Sequence, residues 1–468
     1  MSPTLAIVGG GLAGIAAAVE AVAHGHRVEL FEQTRFLGGR ASSLRDSKTG
    51  QWIDACPHVA MGCCTEFFDF CRRTDIVDCF APAGPLHCIG PDGRQCDVAG
   101  CRWLPSPLHL LPAFLRLKYL SLGERWSIVR ALHCLANRGG PQSHSLSEEE
   151  ETIGAWLRRR GQSRQAVQGF WSVVLDSALG ETVDHASLAA ARHVFRQGFV
   201  ASRRASEVWL PNRPLRRIFH DRLVAWLTTH AVQVHLGAAV QSVQGDVASG
   251  QTLVLHDGTR RSFERLVVAV PWHRAGRLLP SDSAAVANAS RLQPAAITAV
   301  HLWFDRPTIP VSHAVLVGRL SQWVFADRGT REFCHVPEGE RRPGCPHSDH
   351  LPKALGEAGH QHCQVVISAS HRLAPRKHDA WLTDVCDELK SIWPTARSAR
   401  LVHGRVIAQP KALFSMRPGV DRFRPSQQGA MANLALAGDW TATGWPATME
   451  GAIRSGRLAV ASLVGPRE

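Results

Sequence analysis

The chain has 468 residues, 45% of them hydrophobic and 20% charged, and a formal net charge of +13. That length exceeds one ordinary core, so two domains are expected, and the apolar share excludes a disordered chain. The excess of Lys and Arg fits contact with an anionic membrane, or simply a solvated basic face; with a single Tyr and no nucleic-acid motif, nucleic acid is set aside as a partner.

Thr4-Leu5-Ala6-Ile7-Val8 reads as a strand, Gly9-Gly10-Gly11-Leu12-Ala13-Gly14 as a turn, and Ile15 to Ala23 as a helix closed by Gly25. Arg27 to Phe31 is a second strand, ending on Glu32. The charge-free run Met1 to Val19 is broken by glycines, and the apolar run Leu104 to Leu122 by Arg116 and Lys118, so no membrane span is expected. No basic segment precedes the first strand, which points away from a secretory signal and toward the cytoplasm.

This βαβ unit has the residue types a dinucleotide requires. Gly9 makes the tight turn, Gly11 lets a pyrophosphate approach the backbone, and Gly14 lets helix and strand pack closely. Leu12 and Ala13 open the helix, whose free amides and partial positive charge face the phosphates. Glu32 is placed to accept hydrogen bonds from a ribose diol, which favours FAD or NAD over NADP. Gly38-Gly39-Arg40 follows at once. A Gly-Gly-Arg there is similar to the second motif of the flavoproteins that include amine oxidases and carotenoid desaturases, where the arginine balances pyrophosphate charge. No second G-x-G-x-x-G follows residue 14, so electrons are expected from a partner or a diffusible reductant.

Thirteen Cys, eight of them between Cys56 and Cys101, include no C-x-x-C pair. No metal site is expected, and the cysteines read as small buried hydrophobes. Beyond Cys101 the chain turns helical, with helices at Ile153 to Arg160 and Gln165 to Leu179 after a Ser- and Glu-rich connector, Ser143 to Glu151. Strands follow at Val232 to Leu236, Val240 to Val243 and Thr252 to Leu255. The Asp257-Gly258 turn marks a hairpin, and Leu266 to Val270 reads as a buried parallel strand. Residues 295–305 and 363–370 are again strand-like, Glu338 to Gly359 is loop-rich, and Leu434 to Ala437 is a last buried strand. The fold class is α/β: a Rossmann-type FAD-binding domain, glutathione-reductase-like and of the amine oxidase group, assembled from 1–74, 206–289 and 401–468. A discontinuous α+β substrate domain is assembled from 75–205 and 290–400.

Five stretches carry a more specific resemblance: Gly9 to Gly14; Gly38-Gly39-Arg40; Gly161-Gln162-Ser163 with Phe170-Trp171; His301-Leu302-Trp303-Phe304-Asp305; and Ala437-Gly438-Asp439-Trp440-Thr441 through Gly444-Trp445-Pro446-Ala447-Thr448-Met449-Glu450-Gly451. Nearly end to end, the chain resembles the hydroxysqualene dehydroxylases, squalene-associated FAD-dependent desaturases. It departs from them at Asp54-Ala55-Cys56-Pro57-His58, where they tend to carry Asp-Asn-Gly-Gln-His.

The resemblance implies an FAD enzyme that removes the hydroxyl of hydroxysqualene, a long-chain isoprenoid, to give squalene. It implies that Asp439 bonds a ribityl hydroxyl, with Gly438 allowing close approach, and that Trp445 walls the isoalloxazine. It also implies that the helix opened by Thr448, Met449, Glu450, Gly451 and Ala452 faces the flavin's pyrimidine end. Val240 is counted with the cofactor-binding residues. His58 is the candidate proton donor, with a backbone-bonded structural histidine as the alternative. Leu104 to Leu120 is either an interfacial anchor at the mouth of a substrate tunnel, giving peripheral attachment to the inner face of the membrane, or a core helix. Three other functions stay open: a carotenoid desaturase, an amine oxidase, and a non-catalytic prenyl-binding escort protein.

Overall fold

A computed structural model describes residues 4–137, 150–246, 250–280, 283–326, 360–428 and 433–464. The loop-rich Glu338–Gly359 segment and most of the Ser143–Glu151 connector lie outside them.

The first strand, Thr4–Val8, is apolar on both faces because both are covered. It lies at the centre of a five-stranded parallel sheet, between Arg27–Glu32 and Arg265–Val268, with Gln233–Leu236 and Leu434–Leu436 at the edges. Leu5, Ile7, Leu30 and Val267 face one core, and Ala6, Val8, Phe31, Leu266 and Val268 face the other. Each such buried Leu, Ile or Phe contributes roughly 1.5–3 kcal/mol. The helix Leu12–Ala23 covers the first face together with the final helix, Met449–Val464. Their approach depends on small residues: a Cβ on Gly456 would lie 2.2 Å from the Ala13 carbonyl oxygen. The Asp257-Gly258 turn joins Gly250–Leu255 to Arg260–Phe263 as an antiparallel hairpin.

The second sheet has seven strands. Its longest, Leu401–Phe414, pairs antiparallel with Pro294–Phe304 over nearly its whole length. The sequence expectation groups 401–468 with the nucleotide domain, whereas this strand belongs to the second sheet. Its mostly half-buried, partly polar residues suit an antiparallel strand with one open side, not a doubly covered parallel one. One face of the sheet packs on the helix His378–Ile392, Val365 and Ile367 meeting Val385 and Leu389. The other faces helices from the middle of the chain: Leu122–Asn137, Ser172–Leu179 and Leu188–Phe195. The Gly161-Gln162-Ser163 motif has a plain structural use there. Ser163 caps the next helix through the Ala166 amide at 3.0 Å, and Gln162 Oε1 accepts from the buried Trp171 indole at 2.9 Å.

Cys56, Cys71, Cys79, Cys88 and Cys96 are buried and Cys63, Cys64 and Cys101 half-buried, and every described cysteine is a free thiol. Among the described residues, no three His, Cys, Asp or Glu groups converge to hold a metal ion, and no helix is long and apolar enough to cross a membrane. Leu104–Leu120 is no core helix. It is a short turn, Leu108–Leu110, then a five-residue helix, Leu111–Leu115, with Leu108, Leu111 and Leu115 exposed.

Candidate active site

The first turn and the Gly-Gly-Arg segment lie side by side. The Gly38 amide donates to the Gly10 carbonyl at 2.8 Å, and the Gly9 amide to that of Phe31, also at 2.8 Å. Gly38 takes φ +107°, which any side chain would strain. Both oxygens of the buried Glu32 carboxylate are fixed by the turn: Oε2 accepts from the Gly10 amide at 2.7 Å and Oε1 from the Thr34 amide at 2.8 Å. Each oxygen keeps a lone pair for a ribose diol.

The far end of the chain closes this site. The Leu434–Leu436 strand delivers Gly438 and Asp439 beside the glycine turn. The Gly438 amide donates to Ser455 Oγ at 2.8 Å, tying the turn to the last helix. Asp439, 4% exposed, accepts from Arg40 Nη2 at 2.7 Å, and Arg40 Nη1 donates to the Ala412 carbonyl at 2.7 Å. The arginine expected near a pyrophosphate is thus held by the acid expected near the ribityl chain, 399 positions away.

Of the residues singled out by sequence, Gly9, Gly11, Leu12, Ala13, Glu32, Gly38, Gly39, Arg40, His58, Val240, Gly438, Asp439, Trp445, Thr448, Met449, Glu450 and Ala452 line one cavity of about 1960 Å³. Gly14 and Gly451 sit behind it and act by close packing, since a Cβ would lie 1.9 Å from the Gly9 oxygen and 2.7 Å from the Pro446 oxygen respectively. A Cβ on Gly11 would meet nothing within 4 Å, which leaves that backbone open to a phosphate. These residues fit an FAD. Pockets for drug-sized ligands measure roughly 300–1,000 Å³, so the cavity has room for a dinucleotide and a second long molecule.

Two of these side chains have partners of their own. Glu450 borders the cavity, but its carboxylate caps another helix, Thr65–Arg73, accepting from the Phe67 amide at 2.8 Å and the Glu66 amide at 3.2 Å. Burial pushes its pKa up to about 7. His58 bonds the Cys56 carbonyl through Nδ1 at 2.8 Å. A carbonyl only accepts, so Nδ1 carries the hydrogen, and burial lowers the ring's pKa and keeps it neutral. The expected proton donor therefore offers Nε2 as an acceptor instead.

The remainder of the wall was not legible from motifs. It comes from Phe114, Leu132, Phe170, Val173 and Val174 of the helical layer and Ile297, Trp323, Phe325 and Val366 of the seven-stranded sheet, almost all apolar. His193, on Leu188–Phe195, is the notable addition. It stands edge-on to Trp445 with ring centroids 4.8 Å apart, and its Nε2 is sealed from solvent without a hydrogen-bond partner. Burial pushes its pKa down to about 4, helped by Arg454, Arg424 and Arg196 and opposed by Asp421. A lone polar ring in the run Leu188-Ala189-Ala190-Ala191-Arg192-His193-Val194-Phe195 was the only signal available.

The family model described as "Flavin containing amine oxidoreductase" matches residues 12–464. A probable zeta-carotene desaturase of Synechococcus elongatus is 24% identical across 98% of both chains. The hydroxysqualene dehydroxylase of Rhodopseudomonas palustris is also 24% identical, again across 98% of both. Cyclohexylamine oxidase from Brevibacterium oxydans shares the fold with a TM-score of 0.69, at 17% identity over 99% of each chain.

Proposed function

Because the chain belongs to the family of flavin-containing amine oxidoreductases and is an FAD-dependent oxidoreductase, we propose that it reductively removes the hydroxyl group of hydroxysqualene to give squalene. The observation that carries this reading is a polar pair in an apolar chamber. His58 and His193 both border the cavity, whose part between the helical layer and the seven-stranded sheet is walled largely by Leu, Val, Phe and Trp side chains, and His193 Nε2 has no hydrogen-bond partner. A hydroxyl on the substrate satisfies such an atom, whereas a pure hydrocarbon leaves it unpaired at a cost of about 1–3 kcal/mol.

Reduced FAD, when bound, supplies a hydride. The glycine turn, Glu32, Arg40 and Asp439 hold the cofactor, and the apolar wall aligns the isoprenoid and excludes water. His58 Nε2 accepts the hydrogen of the substrate hydroxyl and fixes the carbon that loses it. A second reading, desaturation of a carotene, draws on the desaturase relatives of equal identity. One experiment separates the two: dithionite-reduced protein incubated without oxygen with hydroxysqualene, and oxidised protein with zeta-carotene. Squalene is the expected product; a desaturated carotene with no squalene overturns the reading.

The substrate reaches this chamber from a lipid surface. Leu108, Leu110, Leu111 and Phe114 line the cavity. In the same segment Trp103, Leu122 and Trp126 stand 78%, 76% and 65% exposed, and the neighbouring Arg102, Arg116, Lys118 and Arg130 are exposed as well. Apolar side chains at the mouth of an apolar tunnel, with Lys and Arg beside them, suit an anionic bilayer. The triple variant Trp103→Glu, Leu122→Glu, Trp126→Glu is expected to keep its flavin and lose flotation with phosphatidylglycerol vesicles by far more than tenfold, since each buried apolar side chain is worth about 1.5–3 kcal/mol. Unchanged flotation removes this face as the contact.

A further inference from the structure

A second, smaller cleft of about 460 Å³ lies behind Trp445. Its rim is exposed and polar or small: Thr65, Gln197, Ala201, Ser202 and Gly444. It shares Cys63, His193, Gln197 and Trp445 with the main cavity, so these four form a partition one side chain thick. Thr443, 7% exposed, adds a buried hydroxyl to its inner wall.

We propose that this cleft is the water and proton route to the reacting carbon, and that His193 is its inner terminus and a catalytic residue, passing a proton from cleft water to the departing oxygen of the substrate. The proposal rests on the dehydroxylase reading and adds to it a donor and a path.

Loss of the hydroxyl requires one proton in and one water out. The C–O bond breaks with its electron pair on oxygen, the oxygen takes a proton and leaves as water, and the allylic cation accepts a hydride from reduced FAD. In sum, R–OH, H⁺ and the reduced cofactor FADH⁻ give R–H, H₂O and FAD. The apolar mouth serves this traffic badly, because a thirty-carbon chain threaded through it fills it with hydrocarbon. The polar cleft is a separate space bounded by Thr443, Gly444 and Trp445, residues of the turn that follows Asp439. His193 borders both spaces, with its partnerless Nε2 sealed within the partition, so the relay requires the ring to shift until one nitrogen meets cleft water and the other the substrate oxygen. His58 cannot do this, its only N–H being spent on Cys56. A ring kept neutral also adds no positive charge beside a developing cation, which a protonated histidine would do.

The test uses the flavin-loaded full chain with hydroxysqualene and two variants. His193→Phe removes the relay. Ala201→Trp/Ser202→Trp fills the rim from exposed positions that carry no core contact. Turnover is read as squalene formed by reduced enzyme, and ionisation separately as exchange of the substrate hydroxyl oxygen with ¹⁸O-water in oxidised enzyme, which needs no hydride. His193→Phe is expected to lower both rates about 10²–10⁴-fold, the usual range for a general acid, with KM and flavin content near wild type. The rim variant is expected to lower both at least tenfold with Tm unchanged. Wild-type exchange and turnover in either variant overturns the proposal. Absence of squalene with the wild-type protein instead strikes the dehydroxylase reading on which it rests.

Discussion

Gly14→Val will give a protein that purifies colourless, with bound FAD below a tenth of wild type and a lowered Tm, while Gly11→Ala will lose FAD affinity and keep its Tm. The two glycines stand three residues apart in one turn and do different things. A Cβ at Gly14 would lie 1.9 Å from the Gly9 carbonyl oxygen and 3.3 Å from the Ala269 Cβ. The first of these is backbone, held in a turn whose Gly9 amide is bonded to Phe31, so it cannot yield locally. The helix Leu12–Ala23 must move off the sheet, and overpacking of this kind costs about 1–3 kcal/mol or more. Gly11 has extended backbone at φ −75° and open space where its Cβ would go. Alanine is free of strain there, but its methyl occupies the approach of the pyrophosphate. Absorbance of released flavin and thermal melts check both; a yellow Gly14→Val protein contradicts the argument.

Asp176→Asn is expected to stabilise the protein by on the order of 4–6 kcal/mol at pH 9 and by only about 1–2 kcal/mol at pH 5. Asp176 lies on Ser172–Leu179, and its Oδ1 is sealed from solvent without a partner. Burial, then the nearby Glu181 and Asp184, push its pKa from 3.8 up to about 8. Glu181 is fully buried, and burial alone would raise it. The Arg372 fork at 2.9 and 3.0 Å and the Ser415 hydroxyl hold it instead down at about 2. One carboxylate of the pair is therefore charged and the other neutral. Because the folded-state pKa of Asp176 is raised, its contribution is complete below about pH 4 and lost as the pH climbs through 8. Asparagine mimics the protonated acid at every pH. Melts of both proteins across pH 5–9 read this directly, and parallel curves would contradict it.

Both halves of the candidate cofactor site were legible in the sequence, for physical reasons. A tight turn on a phosphate admits only glycine at fixed spacings, and a strand covered on both faces reads as an unbroken apolar run; Thr4–Val8, Arg265–Val268 and Leu434–Leu436 all do. The substrate chamber was not legible. Phe170, Ile297 and Trp323 belong to three elements that meet only in the tertiary fold, and apolar residues look alike whether they fill a core or line a tunnel. His58 was found, but the sequence left proton donor and backbone-bonded histidine both open, because the partner that fixes its tautomer is a backbone carbonyl two residues away. The pairing of Leu401–Phe414 with Pro294–Phe304 was not legible either, since half-buried residues do not say which neighbour a strand pairs with. His193 carried no motif at all.

The bond between Arg40 and Asp439 has a consequence for synthesis of the protein on the ribosome. The first forty residues already contain the nucleotide turn, yet the acid that holds Arg40 emerges about four hundred residues later, together with Glu450, which caps the Thr65–Arg73 helix. Closing contacts over such separations is slow, and the waiting chain exposes an unpaired strand edge. Until the residues around Asp439 and Glu450 have been made, Arg40 and the Thr65–Arg73 helix lack these partners, and a chaperone has that interval in which to act. Colour should appear only once residues 433–464 have left the exit tunnel.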